Sequence, residues 1–340
     1  AARFTASTMT VYLRRNEAPI SPANAGPRLK PIFRSIPRNF SAMRRSVSKT
    51  NSSSAQVEVG TPPATMIFPP SPSMSVERNE TPNSSTALCV NEMSRDTNPI
   101  EKDRVARSFL RGMPTYEEQA VVQRLINEQL IGLLESLGRN RYTRILEVGS
   151  CTGMFSRLLY ETFSPEQFFL NDLVPEFFQT VKKKLVTAEG ASILPLFGDI
   201  EHLELPDGLD LVASSSTFQW LEDLPRFFAK VYRALAEGGV FAFSMFGEET
   251  YYEIKELTGA GLRYPPFALV RDQVAENFKI LHADIDRDHL HFDHPREVLG
   301  HIRATGVGGV GGFNWTPRRY ERFVGDYLDR FSTEQGVMLS

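Results

Sequence analysis

The sequence predicts an α/β fold in which a mostly parallel sheet carries helices on both faces. Three observations predict it. Short apolar strands alternate with amphipathic helices from Thr143 to Phe246. A glycine-bounded turn, Gly149-Ser150-Cys151-Thr152-Gly153, follows the first of those strands. Acidic residues stand at or just beyond the ends of three successive strands, at Glu147, Asp172 and Asp199.

The elements follow in chain order. Residues 102–111 and 117–137 have helical apolar spacing, with Val121, Leu125, Leu130, Leu133, Leu134 and Leu137 on one stripe that Gly138 ends. Residues 101–138 are therefore expected to be helical. Thr143 to Val148 reads as a strand and Phe155 to Thr162 as a helix. Gln167 to Leu170, Ala191 to Leu196, Leu209 to Ala213 and Gly239 to Phe246 read as further strands. Between them Glu176 to Val186 and Leu224 to Ala236 read as helices. Phe278 to Phe292 alternates over a long stretch and should return antiparallel, before a helix from Pro295.

The 340 residues carry a formal net charge of −3, but the charge is unevenly spread. Residues 1–97 hold 12 Lys/Arg against 6 Asp/Glu, and the first 50 hold one acid, Glu17. This part is rich in serine and proline and poor in aromatics, so it is expected to be a disordered extension to a domain spanning 98–340. An Arg- and Ser-rich, acid-poor leader also has the composition of an organellar transit peptide; a nonfunctional extension is the other reading. The near-neutral total argues against nucleic acid or an anionic membrane as partner. No run of about 18 apolar residues is present, so no membrane span is expected. Two cysteines, Cys89 and Cys151, exclude a disulfide scaffold or a four-cysteine zinc site. His289, His291 and His294 lie among Asp286, Asp288 and Asp293, yet no third ligand of fixed spacing emerges and no metal is expected.

The turn and the three acids carry the chemistry. Gly149 and Gly153 let the backbone approach a ligand without a Cβ. A carboxylate at Asp172 can accept both hydroxyls of a ribose, and Asp199 can meet an adenine amino group. This suits a dinucleotide dehydrogenase or an S-adenosylmethionine methyltransferase. The spacing lacks the G-x-G-x-x-G phosphate fingerprint, and S-adenosylmethionine has no phosphates, so the methyltransferase reading is preferred.

The segment Ser214-Ser215-Ser216-Thr217-Phe218-Gln219-Trp220-Leu221 resembles one found in the malonyl-acyl-carrier-protein O-methyltransferases of biotin synthesis. Lys102 to Phe109, Thr115-Tyr116, Gln123 and His301-Ile302-Arg303-Ala304-Thr305-Gly306-Val307 are similar too. The Gln-Trp segment also occurs in trans-aconitate methyltransferases. The resemblance covers about 101–340 and implies a class I, Rossmann-like methyltransferase fold and an S-adenosyl-L-methionine cofactor. It implies methyl transfer to malonyl-acyl carrier protein, with malonyl-coenzyme A not distinguished from it. A cytoplasmic monomer is expected. A trans-aconitate-type enzyme and a non-catalytic binding protein are the alternatives.

By the same resemblance Glu147, Gly149 and Gly153 would surround the methionine end of the cofactor. Asp172 would hold the ribose, Asp199 with Ile200 the adenine, and Ser214 the amino-acid portion. Tyr116 would be the active-site tyrosine of the helical lid formed by 101–138. On chemical grounds Arg303, in the similar His301 to Gly306 stretch, is expected to fork the substrate carboxylate; a helix C-terminal cap is the other reading. Cys151 stands where the family has a glycine, and Ser215 where it has an asparagine. The family ends on a further strand; here most of that strand is expected to be missing, leaving an unpaired edge inside the sheet.

Overall fold

The computed structural model describes residues 6–15, 56–58, 100–185, 191–305 and 313–340. In chain order the elements are β1 (Ala6–Arg15), β2 (Gln56–Glu58), α1 (Lys102–Gln119), α2 (Val121–Ser136), β3 (Arg144–Val148), α3 (Met154–Phe163), β4 (Gln167–Asp172) and α4 (Glu176–Lys184). They continue with β5 (Ser192–Phe197), β6 (Leu209–Ser215), a 3-10 turn (Phe218–Trp220), α5 (Leu224–Ala234), β7 (Leu235–Phe246), α6 (Tyr252–Thr258) and α7 (Phe267–Ala275). The last are β8 (Phe278–Phe292), α8 (Pro295–Ala304), α9 (Pro317–Phe331), β9 (Ser332–Thr333) and β10 (Gly336–Leu339).

One mixed sheet runs in the order β5-β4-β3-β6-β7-β1-β8-β10-β9, with β2 on β8. The first five strands run parallel to one another. Strand alternation divides the core. Leu146, Val148, Phe241 and Phe243 pack on one face against Phe227, Phe228 and Val231 of α5 and Val270 and Val274 of α7. Ile145, Phe168, Leu211 and Ala242 pack on the other against α2, α3 and α4 through Leu130, Leu134, Leu159, Phe163 and Val181. A smaller third cluster joins Phe292 and Val298 to Phe323, Tyr327, Phe331 and Leu339.

Two expectations are corrected. Residues 6–15, placed by composition in the extension, form β1 and lie inside the sheet, antiparallel to both β7 and β8. The physical reason is alternation: Met9, Val11 and Leu13 join the core on one face while Tyr12 joins it on the other. The guanidinium of Arg15 closes the end of the strand on the Leu235 carbonyl and lies over the Tyr232 ring. The slot between β7 and β8 is thus filled from the amino-terminal part of the sequence, so the expected unpaired edge is absent there. β10 pairs with the far end of β8 at Leu290 to Phe292. Except for 56–58, the rest of the expected extension lies outside the described residues.

The lid also differs in detail. α1 continues through Pro114 to Gln119, and α2 begins after Ala120 alone, so Thr115 and Tyr116 are helical. No helix among the described residues is long and apolar enough to cross a membrane.

Candidate active site

A crevice opens where the carboxyl ends of the parallel strands meet the inner face of α1. Its walls include Lys102, Val105, Ala106, Phe109 and Tyr116 from the lid. Its floor includes Gly149, Cys151, Asn171, Asp172, Asp199 and Ile200, and Ser215 to Thr217 and Trp220 close the far side.

The turn after β3 is fixed by its own backbone. Gly149 and Ser150 both donate to the Asn171 carbonyl, at 3.0 and 2.9 Å. Gly149 sits at φ 80, and a Cβ there would collide with the Thr217 side chain, so only glycine fits. Cys151 occupies the left-handed region at φ 44 without being glycine, and its amide donates to Asp172 Oδ2 at 2.7 Å. The thiol is pushed well up by burial and then by the Asp172 charge, so it stays neutral.

Asp172 accepts that bond and a second one from the Val174 amide at 2.8 Å. Burial raises its carboxyl to about 6 despite these bonds. Asn171 donates to the Leu196 and Gly198 carbonyls at 2.7 and 3.0 Å, tying β4 to the loop that carries Asp199. Asp199 faces the lid: Lys102 lies 3.5 Å away and 2.8 Å from Glu201. Across the lid's other end Glu117 pairs with Lys184, whose ammonium also donates to the Thr152 carbonyl at 2.8 Å. Phe109 meets Trp220 edge-on at 5.6 Å between ring centroids.

A stretch covering residues 146–243 matches the family model described as a methyltransferase domain. The chain is 38% identical over 242 residues to a malonyl-acyl-carrier-protein O-methyltransferase of Chlorobium phaeovibrioides, covering 71% of this chain and 93% of that one. It is 34% identical to the enzyme of the same name from Calditerrivibrio nitroreducens, covering 68% and 91%. The chain belongs to the malonyl-acyl-carrier-protein O-methyltransferase family. A solved S-adenosylmethionine-dependent methyltransferase from Mesorhizobium loti shares 28% identity, covering 31% of this chain and 47% of that one, at a TM-score of 0.28.

Members of this methyltransferase family use S-adenosylmethionine, and the crevice residues fit it. Each Asp172 oxygen accepts one backbone bond and keeps capacity for another. Ser216 Oγ, Gln219 Oε1 and Trp220 Nε1 are buried without a hydrogen-bond partner among the described residues, beside a crevice that a polar ligand would enter.

The structure brings together five of the nine expected residues: Tyr116, Gly149, Asp172, Asp199 and Ile200 all line the crevice. Four lie elsewhere. Glu147 is buried beneath the turn, 1% exposed, where burial pushes its carboxyl up to about 8 against the opposing pull of Ser156. Gly153, the N-cap of α3, turns toward α4, where a Cβ would press on Val181 at 3.1 Å, so it serves the packing of the start of α3 on α4. Ser214 is fully buried and its hydroxyl donates to the Val148 carbonyl at 2.9 Å; its neighbours Ser215 and Ser216 face the crevice instead. Arg303 is exposed in the last turn of α8, where a cation complements the helix dipole.

Sequence reasoning missed Asn171 and Lys102 as site residues. The signal for Lys102 was available, since Lys102, Val105, Ala106 and Phe109 fall on one helical face.

Proposed function

We propose that the protein transfers the methyl group of S-adenosylmethionine to the free carboxylate of a malonyl group held on acyl carrier protein. The observation that carries this reading is the 38% identity to a relative of that name, running over 93% of the relative. The crevice supports it. Asp172 would hold the ribose hydroxyls, and Asp199 with the buried Ile200 the adenine. Gly149 keeps the floor open to the methionine end, with the Glu147 carboxyl beneath it and Gly153 and Ser214 holding the turn and the strands in register.

S-adenosylmethionine supplies an electrophilic methyl carried on a positive sulfur. A malonyl carboxylate is ionised near neutral pH, so the chain needs no general base. With that group bound, the carboxylate oxygen would take the methyl carbon as the carbon–sulfur bond breaks and leaves its electron pair on sulfur, with no proton to move. The work of the residues is alignment and exclusion of water. Val105, Ala106 and Phe109 of the lid and Trp220 make the wall apolar, which favours a step that destroys a pair of opposite charges.

The test is kcat/KM for malonyl-acyl carrier protein, malonyl-coenzyme A and trans-aconitate with S-adenosylmethionine saturating. The reading expects the carrier-bound malonyl group to be the best of the three acceptors. A preference for trans-aconitate would replace it.

A further inference from the structure

We propose that the outer face of the lid helix, continued onto the carboxyl end of α8 and the start of α9, docks the acidic carrier protein through a cluster of arginines. This rests on the malonyl-carrier reading above and adds to it the surface on which the carrier sits.

The patch follows from the helical repeat of α1. Lys102, Val105, Ala106, Phe109 and Tyr116 line the crevice. Arg104, Arg107 and Arg111, three and four residues apart, therefore form a stripe on the opposite side, with Arg107 and Arg111 exposed. One turn beyond Arg111, the Thr115 hydroxyl donates to the Ala304 carbonyl at 3.1 Å, which joins the carboxyl end of α8 to this stripe. The residue before Ala304 is Arg303, also exposed. The surface continues onto α9. Val298 of α8 and Phe323 of α9 share one apolar cluster. The carboxyl end of α9 leads into β9 and β10, and β10 pairs with Phe292 just before α8 begins, so α9 runs back against α8. Its first turns then bring Arg318, Arg319 and Arg322 toward Arg303. Trp315 precedes them, 41% exposed and edge-on to Phe323 at 5.1 Å.

The lid helix gains nothing from its arginine stripe. Like charges three and four residues apart on a helix repel one another. Between Arg104 and Thr115 the lid carries no acid that could offset them. Arg107, Arg111, Arg303, Arg318 and Arg322 make no ion pair among the described residues, whereas Arg139, Arg141 and Arg330 are each paired with a carboxylate. The acids bordering the patch are Asp103 and Glu118 on α1 and Glu321 and Asp326 on α9, four against seven arginines. The patch is thus a positive surface left open to an outside partner.

Its charge fits an acidic protein. Of the 38 basic and 41 acidic side chains, residues 98–340 hold 26 and 35, a net −9. An acidic carrier is repelled by the domain as a whole and has to land on a local positive surface. The other basic run, Lys182-Lys183-Lys184, is less available. The Lys184 ammonium is held by Glu117 and the Thr152 carbonyl, and Lys182 lies over the Phe178 ring. Arginine and tryptophan are also side chains that protein interfaces favour. The arm bearing the acyl group must pass the edge of the lid to reach the crevice, and docking on the outer face of the lid sets the carrier beside that edge.

The experiment gives the full-length protein two acceptors, malonyl-acyl carrier protein and malonyl-pantetheine, which is the thioester arm without the carrier. The double variant Arg107→Glu, Arg111→Glu is expected to raise KM for the carrier-bound acceptor roughly ten-fold, with kcat and the malonyl-pantetheine KM unmoved. Added salt should lower kcat/KM for the carrier in the parent and lower it less in the variant. Arg303→Glu gives the same split between acceptors if the lid variant does not fold. A parallel loss for malonyl-pantetheine would place these arginines in folding or in carboxylate binding and overturn the inference. An unchanged carrier KM in both variants would overturn it as well. A parent protein that methylates neither acceptor would instead remove the malonyl-carrier reading on which the inference stands.

Discussion

Cys151 shows how a residue can sit in a site without doing its chemistry. Its backbone is left-handed, its thiol is neutral, and its amide serves Asp172. Left-handed geometry costs an L-residue roughly 1–2 kcal/mol, and glycine gives back about 0.5–1 kcal/mol through a freer unfolded chain. Cys151→Gly is therefore expected to stabilise the fold by about 0.5 kcal/mol and leave S-adenosylhomocysteine affinity the same or better. Thermal melts and calorimetric titration check this; a lower melting temperature would mean the side chain packs usefully.

The two buried acids make a second residue-scale prediction. Asp172 and Glu147 have pKa values of about 6 and 8 in the folded protein, above those of an unfolded chain near 4. The native state therefore holds protons that the unfolded state releases, and the free protein loses stability as pH rises from about 4 to 8. Ribose hydroxyls would donate to an ionised Asp172 and favour it, so the melting-temperature gain from S-adenosylhomocysteine should grow from pH 6 to pH 8. A gain that shrinks over that range would contradict the role of Asp172.

At the scale of elements, β1 matters most. Burying Met9, Val11 and Leu13 is worth roughly 1.5–3 kcal/mol each, and their sum rivals the net stability of a typical domain. Removing residues 1–15 is expected to abolish cooperative urea unfolding, and Val11→Asp to lower its midpoint sharply. A truncated protein with an unchanged transition would show that β1 is dispensable.

The strand was partly legible. Thr8 to Leu13 alternates and includes β-branched residues, but a few such residues in a basic, Ser- and Pro-rich segment are outweighed by the composition around them. The strands from β3 to β8 were read near their observed bounds, because long parallel-sheet units repeat the same signal. Pro114 hid the continuity of α1, since proline ordinarily ends a helix.

At the scale of the whole molecule, five parallel strands set the ligand edge and the lid closes it. This was readable because acids at strand ends and a glycine turn are local patterns. What was not readable was orientation: Ser214 and Ser215 differ by one position and face opposite ways, and only pairing with Val148 decides which meets the ligand. The exposure of Arg303 was unreadable for a similar reason, since a helix of known extent still has a solvent face. In the His301 to Thr305 stretch, His301 packs on Phe292 and the Thr305 hydroxyl donates to the His301 carbonyl at 3.1 Å.

The most direct measurement of the central claim is the mass of malonyl-acyl carrier protein after incubation with the protein and S-adenosylmethionine. The account predicts a gain of one methyl group on the malonyl carboxylate, removable by mild base, with one S-adenosylhomocysteine formed per ester. An unchanged carrier mass, with S-adenosylmethionine bound and malonyl-acyl carrier protein saturating, would contradict it.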